Sequence, residues 1–314
     1  MTDYKIKLAD YYNKYGQEAT VTEFGLTHET VSRYMRAIRR ELREPSIVEP
    51  TEPDMPNILI VDIETSLMVA YTFGLWKQNI QPEQIIDDWF ILGWAAKWLG
   101  SDTIYSEFVT TEEALDCDDK RIMFPLWELL EYADIVIAHN GAKFDVPRIN
   151  TRMLLAGLKP PAPYQVLDTL FYYRKQFGFT SNKLNYLNKK LDIKQKVETG
   201  GIQLWKDCSS GSQKALDKMQ KYNINDVKIL EQNYIKVRPW IKNHPNVGVW
   251  SIDDVKKCTN CGSSNLEEIS GTYSTPVNRY VVYRCKDCGA IAGRERSAIK
   301  SIKENKETIR SIAR

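Results

Sequence analysis

Four acidic side chains and one phenol are the residues best placed to do chemistry in this 314-residue chain. Asp62 and Glu64 close an apolar, β-branched run, Ile58-Leu59-Ile60-Val61-Asp62-Ile63-Glu64-Thr65. Successive side chains on a strand point to opposite faces, so the two acids share one face. Two carboxylates side by side at the end of a buried strand repel unless a cation sits between them, and a divalent metal is the usual answer. Asp145 follows a second short apolar run, Ile135-Val136-Ile137-Ala138, with Asn140 and Phe144 between. Tyr222 and Asp226 are spaced one helical turn apart on one face. Carboxylates from these three segments could surround two Mg2+ or Mn2+ ions about 4 Å apart, the arrangement that supports phosphodiester hydrolysis. One ion would lower the pKa of an attacking water, the other would stabilise charge on the leaving oxygen, and the phenol would orient the water. A strand fraying into a solvated acidic loop is the alternative for Asp62 and Glu64 taken alone.

A second set of residues has metal-ligand spacing. Cys258-Thr259-Asn260-Cys261-Gly262 and Cys285-Lys286-Asp287-Cys288-Gly289 are two C-x-x-C pairs, each followed by glycine. That is the signature of a four-cysteine Zn2+ site, structural because all four positions are filled. Tyr280-Val281-Val282-Tyr283-Arg284 alternates like a strand, and the whole resembles a zinc ribbon. The remaining cysteines, Cys117 and Cys208, read as free thiols.

The elements that must position the acids follow from periodicity. Ile58–Thr65, Trp89–Trp98, Ile104–Val109, Asp134–Ala138 and Tyr164–Leu167 read as strands, with the Trp residues as packing rather than a stacking platform. Met123–Ala133, a segment ending near Ala156, Thr169 to about Arg174, Asn182–Leu191 and Gln213–Ile235 read as helices, and Asp168 as an N-cap. Glu198–Gly201 and the small polar Ser209–Ser212 read as breaks. Strands and helices in this order argue an α/β fold with a mixed sheet flanked by helices. The domain layout expected is residues 1–44, a proline-rich linker 45–56, a main domain 57–245, the ribbon 256–293 and a basic tail 294–314.

At the N-terminus, Tyr4, Leu8, Tyr11, Tyr12 and Tyr15 recur at helical spacing before Gly16. A short helix over Thr20–Phe24, a turn at Gly25-Leu26 and a third helix capped by Thr27 complete a small all-α unit. It resembles a homeodomain-like helix-turn-helix. That resemblance puts His28, Glu29, Ser32 and Arg33 near base edges and Arg36, Arg39 and Arg40 near phosphates of duplex DNA. A three-helix bundle with a solvated basic face is the other reading.

Taken together, DIET (62–65), HNGAKFDVP (139–147) and YNIND (222–226) resemble the three motifs of the DEDD superfamily of 3′–5′ exonucleases, which has a ribonuclease H-like fold. Tyr222 matches the Tyr-containing subtype; the His-containing subtype needs a histidine at 221, where this chain has Lys221. The second motif is similar to that of the proofreading domains of family B DNA polymerases. The resemblance covers about residues 57–240. It implies that Asp62, Glu64 and Asp226 hold one metal, that Asp62 also binds the second, and that Asp145 reaches the metals through water. It further implies that Tyr222 positions the water, and that Thr65, Asn140 and Phe144 meet the terminal nucleotide.

The expected substrate is nucleic acid with a 3′ end, DNA given the helix-turn-helix, with a replication or repair protein as a further partner. Two rivals remain open. Transposases and integrases also join a helix-turn-helix to a ribonuclease H-like core, but use one acid on the first strand and a Glu on a late helix. A non-catalytic DNA-binding regulator is the other. The net charge of +2 excludes nothing by itself. The chain shows no signal peptide and no bilayer-spanning apolar run, so a cytoplasmic, non-membrane protein is expected. The tail after Gly293, with Ile299, Ile302, Ile309 and Ile312, reads as an amphipathic helix.

Overall fold

The computed structural model describes residues 3–26, 55–193, 200–275, 278–295 and 299–301. The chain divides into two compact units, Met1–Glu49 and Pro50–Arg314. In the first, α1 (Asp3–Phe24) is broken at Gly16, which has φ 81°. This is the helix, stop and helix expected from the sequence. Leu8 is fully buried against Tyr12, Val21, Phe24 and Leu26. The third helix, with His28, Glu29, Ser32, Arg33, Arg36, Arg39 and Arg40, lies outside the described residues, as do most of the linker and residues 302–314.

The second unit is built on a five-stranded mixed sheet. Its strands are β1 (Ile58–Thr65), β4 (Ile91–Trp98), β5 (Tyr105–Phe108), β6 (Ile135–Ala138) and β7 (Gln165–Asp168), in the order β5-β4-β1-β6-β7. The strands β1, β4 and β5 pair antiparallel, whereas β6 and β7 run parallel to β1. Two short strands, β2 (Val69–Ala70) and β3 (Ile85–Asp87), form a separate hairpin between β1 and β4. All eight residues of β4 are buried, which is why its apolar run does not alternate. Trp94 and Trp98 are core, as expected.

Helices cover the sheet: α2 (Thr111–Leu115), α3 (Lys120–Tyr132), α4 (Asp145–Leu155), α5 (Thr169–Gln176), α6 (Leu184–Lys190), α7 (Ile202–Ser209) and α8 (Gln213–Val237). This is the expected α/β mixed sheet flanked by helices. The helices α2 and α7 are additional to the sequence reading. α2 is a single turn closed by a capping box between Thr110 and Glu113, too short for periodicity to register. α7 ends at the small polar stretch Ser209–Ser212, which masks its last turn.

Val227, Leu230, Tyr234 and Val237 of α8 share one core with Ile58 and Ile60 of β1. Those four lie at helical spacing, so one stripe of α8 covers one face of β1. Lys97 of β4 pairs with Glu231 of α8, both nearly buried, and Glu231 also accepts from the Gly100 N–H at 2.8 Å. This ion pair fixes the register of the helix on the sheet.

At the C-terminus, β8 (Leu266–Ser274), β9 (Asn278–Cys285) and β10 (Ile291–Arg294) form a small antiparallel sheet. The expected tail helix does not start at Ile299. Lys300–Ser301 forms β11 and pairs with Arg279 and Asn278 of β9, because the open edge of β9 offers backbone partners. The small sheet is tied to the α/β body. Val247 N–H donates to the Thr259 carbonyl at 2.9 Å, and the buried Asn260 amide donates to the carbonyls of Arg238 and Ile241.

Removing one partner of the Lys97–Glu231 pair strands a buried charge. Glu231→Ala is expected to lower the unfolding free energy by about 3–5 kcal/mol. Urea titration checks this, with the m-value unchanged if the fold is intact.

Candidate active site

The site grows out of the β1–α8 seam. Ile58 and Ile60 pack under α8; Asp62 and Glu64 continue the same row at the strand's carboxyl end. On the helix, the stripe that begins at Val237 and Tyr234 leads back through Asp226 to Asn223 and Tyr222. The two rows run in opposite directions and converge. Carboxylate oxygens of Asp62, Glu64 and Asp226 all lie within 4.8 Å of one another. Asp226 and Tyr222 are both buried, at 7% and 6% exposure.

Asn223, given no role in the sequence reading, is the residue that joins strand to helix. Its amide donates to Asp62 Oδ2 at 2.7 Å and to the Asp62 carbonyl at 3.2 Å. The signal was available: Asn223 precedes Asp226 by three residues, which puts it on the same helical face. The Trp205 ring of α7 stands edge-on to Tyr222, with centroids 6.5 Å apart. Cys208 of α7 is a free, fully buried thiol; burial pushes it up to about 12, with Asp207 and then Glu64 adding to the shift.

Asp145 lies outside this trio. It is 2% exposed, and its Oδ1 accepts the Ile63 N–H at 3.2 Å, so it props β1 between the two strand acids. Burial pushes its carboxyl up to about 7, the charge of Asp168 adds to this, and the Ile63 N–H, its own N–H and Arg148 pull the other way. Phe144 precedes it, with the Arg148 guanidinium 3.9 Å from the ring centroid. The same guanidinium lies 5.3 Å from the Trp89 ring.

Asp168 does more than cap α5. Its Oδ1 accepts from Leu170 N and Phe171 N, as expected of an N-cap, and also from Asn140 N at 2.9 Å. Its Oδ2 takes the Ala142 N–H at 3.3 Å. One carboxylate thus holds the turn carrying Asn140, which sits at φ 73°, a conformation asparagine tolerates better than most residues. A side chain at Gly141 would put its Cβ 2.3 Å from the Ala138 Cβ, so the turn needs glycine there. His139 is clamped between Thr169 Oγ1 at 2.9 Å and the Asn182 carbonyl at 3.0 Å, and burial lowers its pKa. Thr65 follows the irregularity at the end of β1, where the register to β4 slips between Glu64 and Thr65.

The donor set fits a hard divalent cation. Two unit charges 4.8 Å apart repel by about 3 kcal/mol at an effective dielectric near 20. Three carboxylates held this close therefore call for positive charge, and oxygen ligands suit Mg2+ or Mn2+. The sulfurs of Cys258, Cys261, Cys285 and Cys288 form a second group within 4.8 Å. Cys258 and Cys288 are 3.7 Å apart, and Cys261 and Cys285 are 3.6 Å apart. A tetrahedron with metal–sulfur bonds of about 2.3 Å has edges of about 3.8 Å. The two knuckles are built alike: Gly262 N–H donates to the Cys258 carbonyl and Gly289 N–H to the Cys285 carbonyl, each at 2.9 Å.

A family model described as RNase_H superfamily matches residues 96–237, a stretch that holds Asp145, Tyr222 and Asp226 and begins after β1. Among solved structures, the chain is similar to the family B DNA polymerase from the hyperthermophilic archaeon Pyrobaculum calidifontis. The identity is 14% and the TM-score 0.44, over 62% of this chain and 26% of that one. A search of curated proteins finds no match. The five-stranded order and the family model together make the main domain ribonuclease H-like, and this points to a nuclease-type function. Among the described residues, no helix is long and apolar enough to cross a membrane.

The raised pKa of Asp145 has a signed consequence. Without divalent cation, the folded chain holds a proton on Asp145 that the unfolded chain releases near pH 4. The folded state binds more protons between about pH 4 and 7, so this group's contribution to stability falls as pH rises through that window. Asp145→Asn is expected to remove that dependence. Urea titrations of both proteins at pH 5 and pH 7.5 check it: the variant gains relative to wild type at the higher pH.

Proposed function

We propose that this chain is a metal-dependent 3′–5′ exonuclease that hydrolyses phosphodiester bonds of nucleic acid, with DNA as substrate, and releases nucleoside 5′-monophosphates. The observation that carries the reading is the convergence of Asp62, Glu64 and Asp226 within 4.8 Å of one another, with Tyr222 one turn from Asp226 on the same helix.

In this reading Asp62, Glu64 and Asp226 would hold the nucleophile-side ion, and Asp62 would also serve a second ion, with Asp145 acting on it through water. When bound, two Mg2+ or Mn2+ ions supply a lowered pKa for the attacking water and charge stabilisation at the leaving oxygen. The Tyr222 hydroxyl orients that water, and the edge-on Trp205 ring limits where the phenol can swing. Asn223 fixes the Asp62 carboxylate through its 2.7 Å hydrogen bond. The Asn140 side chain and Thr65 contact the terminal nucleotide, and Phe144, stiffened by Arg148, stacks beside it. The helix-turn-helix residues Ser32, Arg33, Arg36, Arg39 and Arg40 keep the enzyme on duplex DNA. Cys258, Cys261, Cys285 and Cys288 hold one structural Zn2+, which the 3.6 and 3.7 Å sulfur separations support. The protein works in the cytoplasm, alongside a replication or repair protein.

Asp62→Ala and Asp226→Ala are each expected to abolish the Mg2+-dependent ladder of products shortened from the 3′ end of a 5′-labelled oligonucleotide. Tyr222→Phe is expected to lower kcat about 10²-fold. Digestion that both alanine variants perform at the wild-type rate would sink the proposal. Comparing single-stranded DNA, duplex DNA and RNA in the same assay fixes the substrate.

The purified chain is expected to carry one zinc per molecule, and Cys285→Ser to lose it with a lowered Tm. Elemental analysis by atomic emission decides this; an unchanged zinc content in the variant rules out the four-cysteine site.

A further inference from the structure

The segment from Ser66 to Phe90, between β1 and β4, has no part in the roles assigned so far. It carries several of the most exposed apolar side chains of the described residues: Phe73 at 100%, Leu75 at 91% and Trp76 at 84%, with Tyr71 at 72%. Displaying such residues together is unfavourable in water and marks a binding surface. The display is built rather than frayed. Val69 pairs with Asp87 and Ala70 with Ile85. Tyr71 N–H donates to the Gln84 carbonyl at 2.9 Å, and the Gln84 amide returns to the Tyr71 carbonyl at 2.8 Å. Gln81 and Gln84 close a capping box, and the Gln78 amide ties the tip to the Trp76 carbonyl at 2.7 Å.

The base of this hairpin is fastened to the candidate active site. Ser66, two residues past Glu64, donates its N–H to the Phe90 carbonyl at 2.9 Å and accepts the Phe90 N–H on its hydroxyl at 2.9 Å. Between Tyr71 and Ile80 the only charged residue is Lys77. The acids of the segment, Glu83, Asp87 and Asp88, fall outside this stretch, and aromatic faces beside one cation suit stacked bases on a phosphate backbone.

We propose that this hairpin is a stacking platform for unpaired bases of the substrate strand, a few nucleotides upstream of the bond being cut. The assignment deepens the nuclease reading and rests on it for the identity of the strand. It makes single-stranded 3′ ends the preferred substrate class, and stacking makes the preference independent of sequence. Reach sets the length dependence. Seven residues separate Ser66 from Phe73, an extended span of at most about 25 Å. Stacked nucleotides advance about 3.4 Å each, so the platform engages the strand within about seven nucleotides of the site.

The test uses the full chain and the double variant Phe73→Ala/Trp76→Ala, with Phe73→Tyr/Trp76→Phe as the conservative control. Binding of fluorescein-labelled 12-mer and 3-mer single-stranded DNA is followed by anisotropy in Ca2+. Turnover of thymidine 5′-monophosphate p-nitrophenyl ester is measured separately in Mn2+. The alanine pair is expected to weaken 12-mer binding at least tenfold, to change 3-mer binding less than twofold and to leave ester turnover unaltered. The aromatic control keeps 12-mer binding. Equal 12-mer affinity in wild type and alanine pair overturns the platform and assigns the patch to a protein partner. A wild-type chain that binds the 12-mer through these residues but turns over neither ester nor oligonucleotide instead removes the nuclease reading and leaves the platform standing.

Discussion

Everything in the main domain depends on how β1 lies under α8. The core residues Ile58 and Ile60 on the strand and Val227, Leu230 and Tyr234 on the helix lock two rows of side chains together. Burying each such residue contributes about 1.5–3 kcal/mol, and only that scale of stabilisation can hold three carboxylates where their mutual repulsion opposes folding. The acids are the polar ends of two apolar rows. Shift the helix by one residue and Asn223 no longer meets Asp62; the Lys97–Glu231 pair, made by the residue next to Leu230, guards against that slip.

The second strand of the argument runs through hydrogen bonds rather than packing. Asp145 and Asp168 are both largely buried, and each spends its acceptor capacity on backbone N–H groups of other segments. Asp145 reaches across to β1, and Asp168 reaches back from α5 to the turn at Asn140. The loop between β6 and α4 is therefore braced at both ends. A turn so constrained can present Asn140 and Phe144 with little freedom to lose on binding, which is the condition for precise contact with a substrate.

Much of the architecture was legible in the chain itself. The β1 strand from Ile58 to Thr65 could be read to its boundaries because its apolar run is long, β-branched and ends in charge. The long helix α8 declared itself by period alone. The pairing of Tyr222 with Asp226 followed from helical spacing, and the four cysteines from theirs. What escaped was whatever depends on contacts remote in sequence. Asn223 looks like any polar helix residue until β1 is laid beside it. Asp168 shows a capping signal, while its hold on Asn140 and Ala142 exists only because β6 and β7 are neighbours. The short β11 strand stands where the expected tail helix would begin, because isoleucine spacing says nothing of an open sheet edge waiting for a partner; the rest of that segment lies outside the described residues. The aromatics Tyr71, Phe73 and Trp76 after β1 are plain in the sequence, yet their exposure is a property of the folded surface.

The attachment of the cysteine-bearing sheet bears on where the main domain ends. A helix leaves its last carbonyls without intrahelical donors, and these are ordinarily met by a glycine turn or by water. Beyond α8 the Asn260 amide, set between the first two cysteines, reaches the carbonyls of Arg238 and Ile241. The cysteine knuckle thus braces the 3-10 turn Arg238–Trp240 that follows the helix carrying Tyr222, Asn223 and Asp226. In folding terms, whatever holds the knuckle together also steadies the turn by which the chain leaves α8.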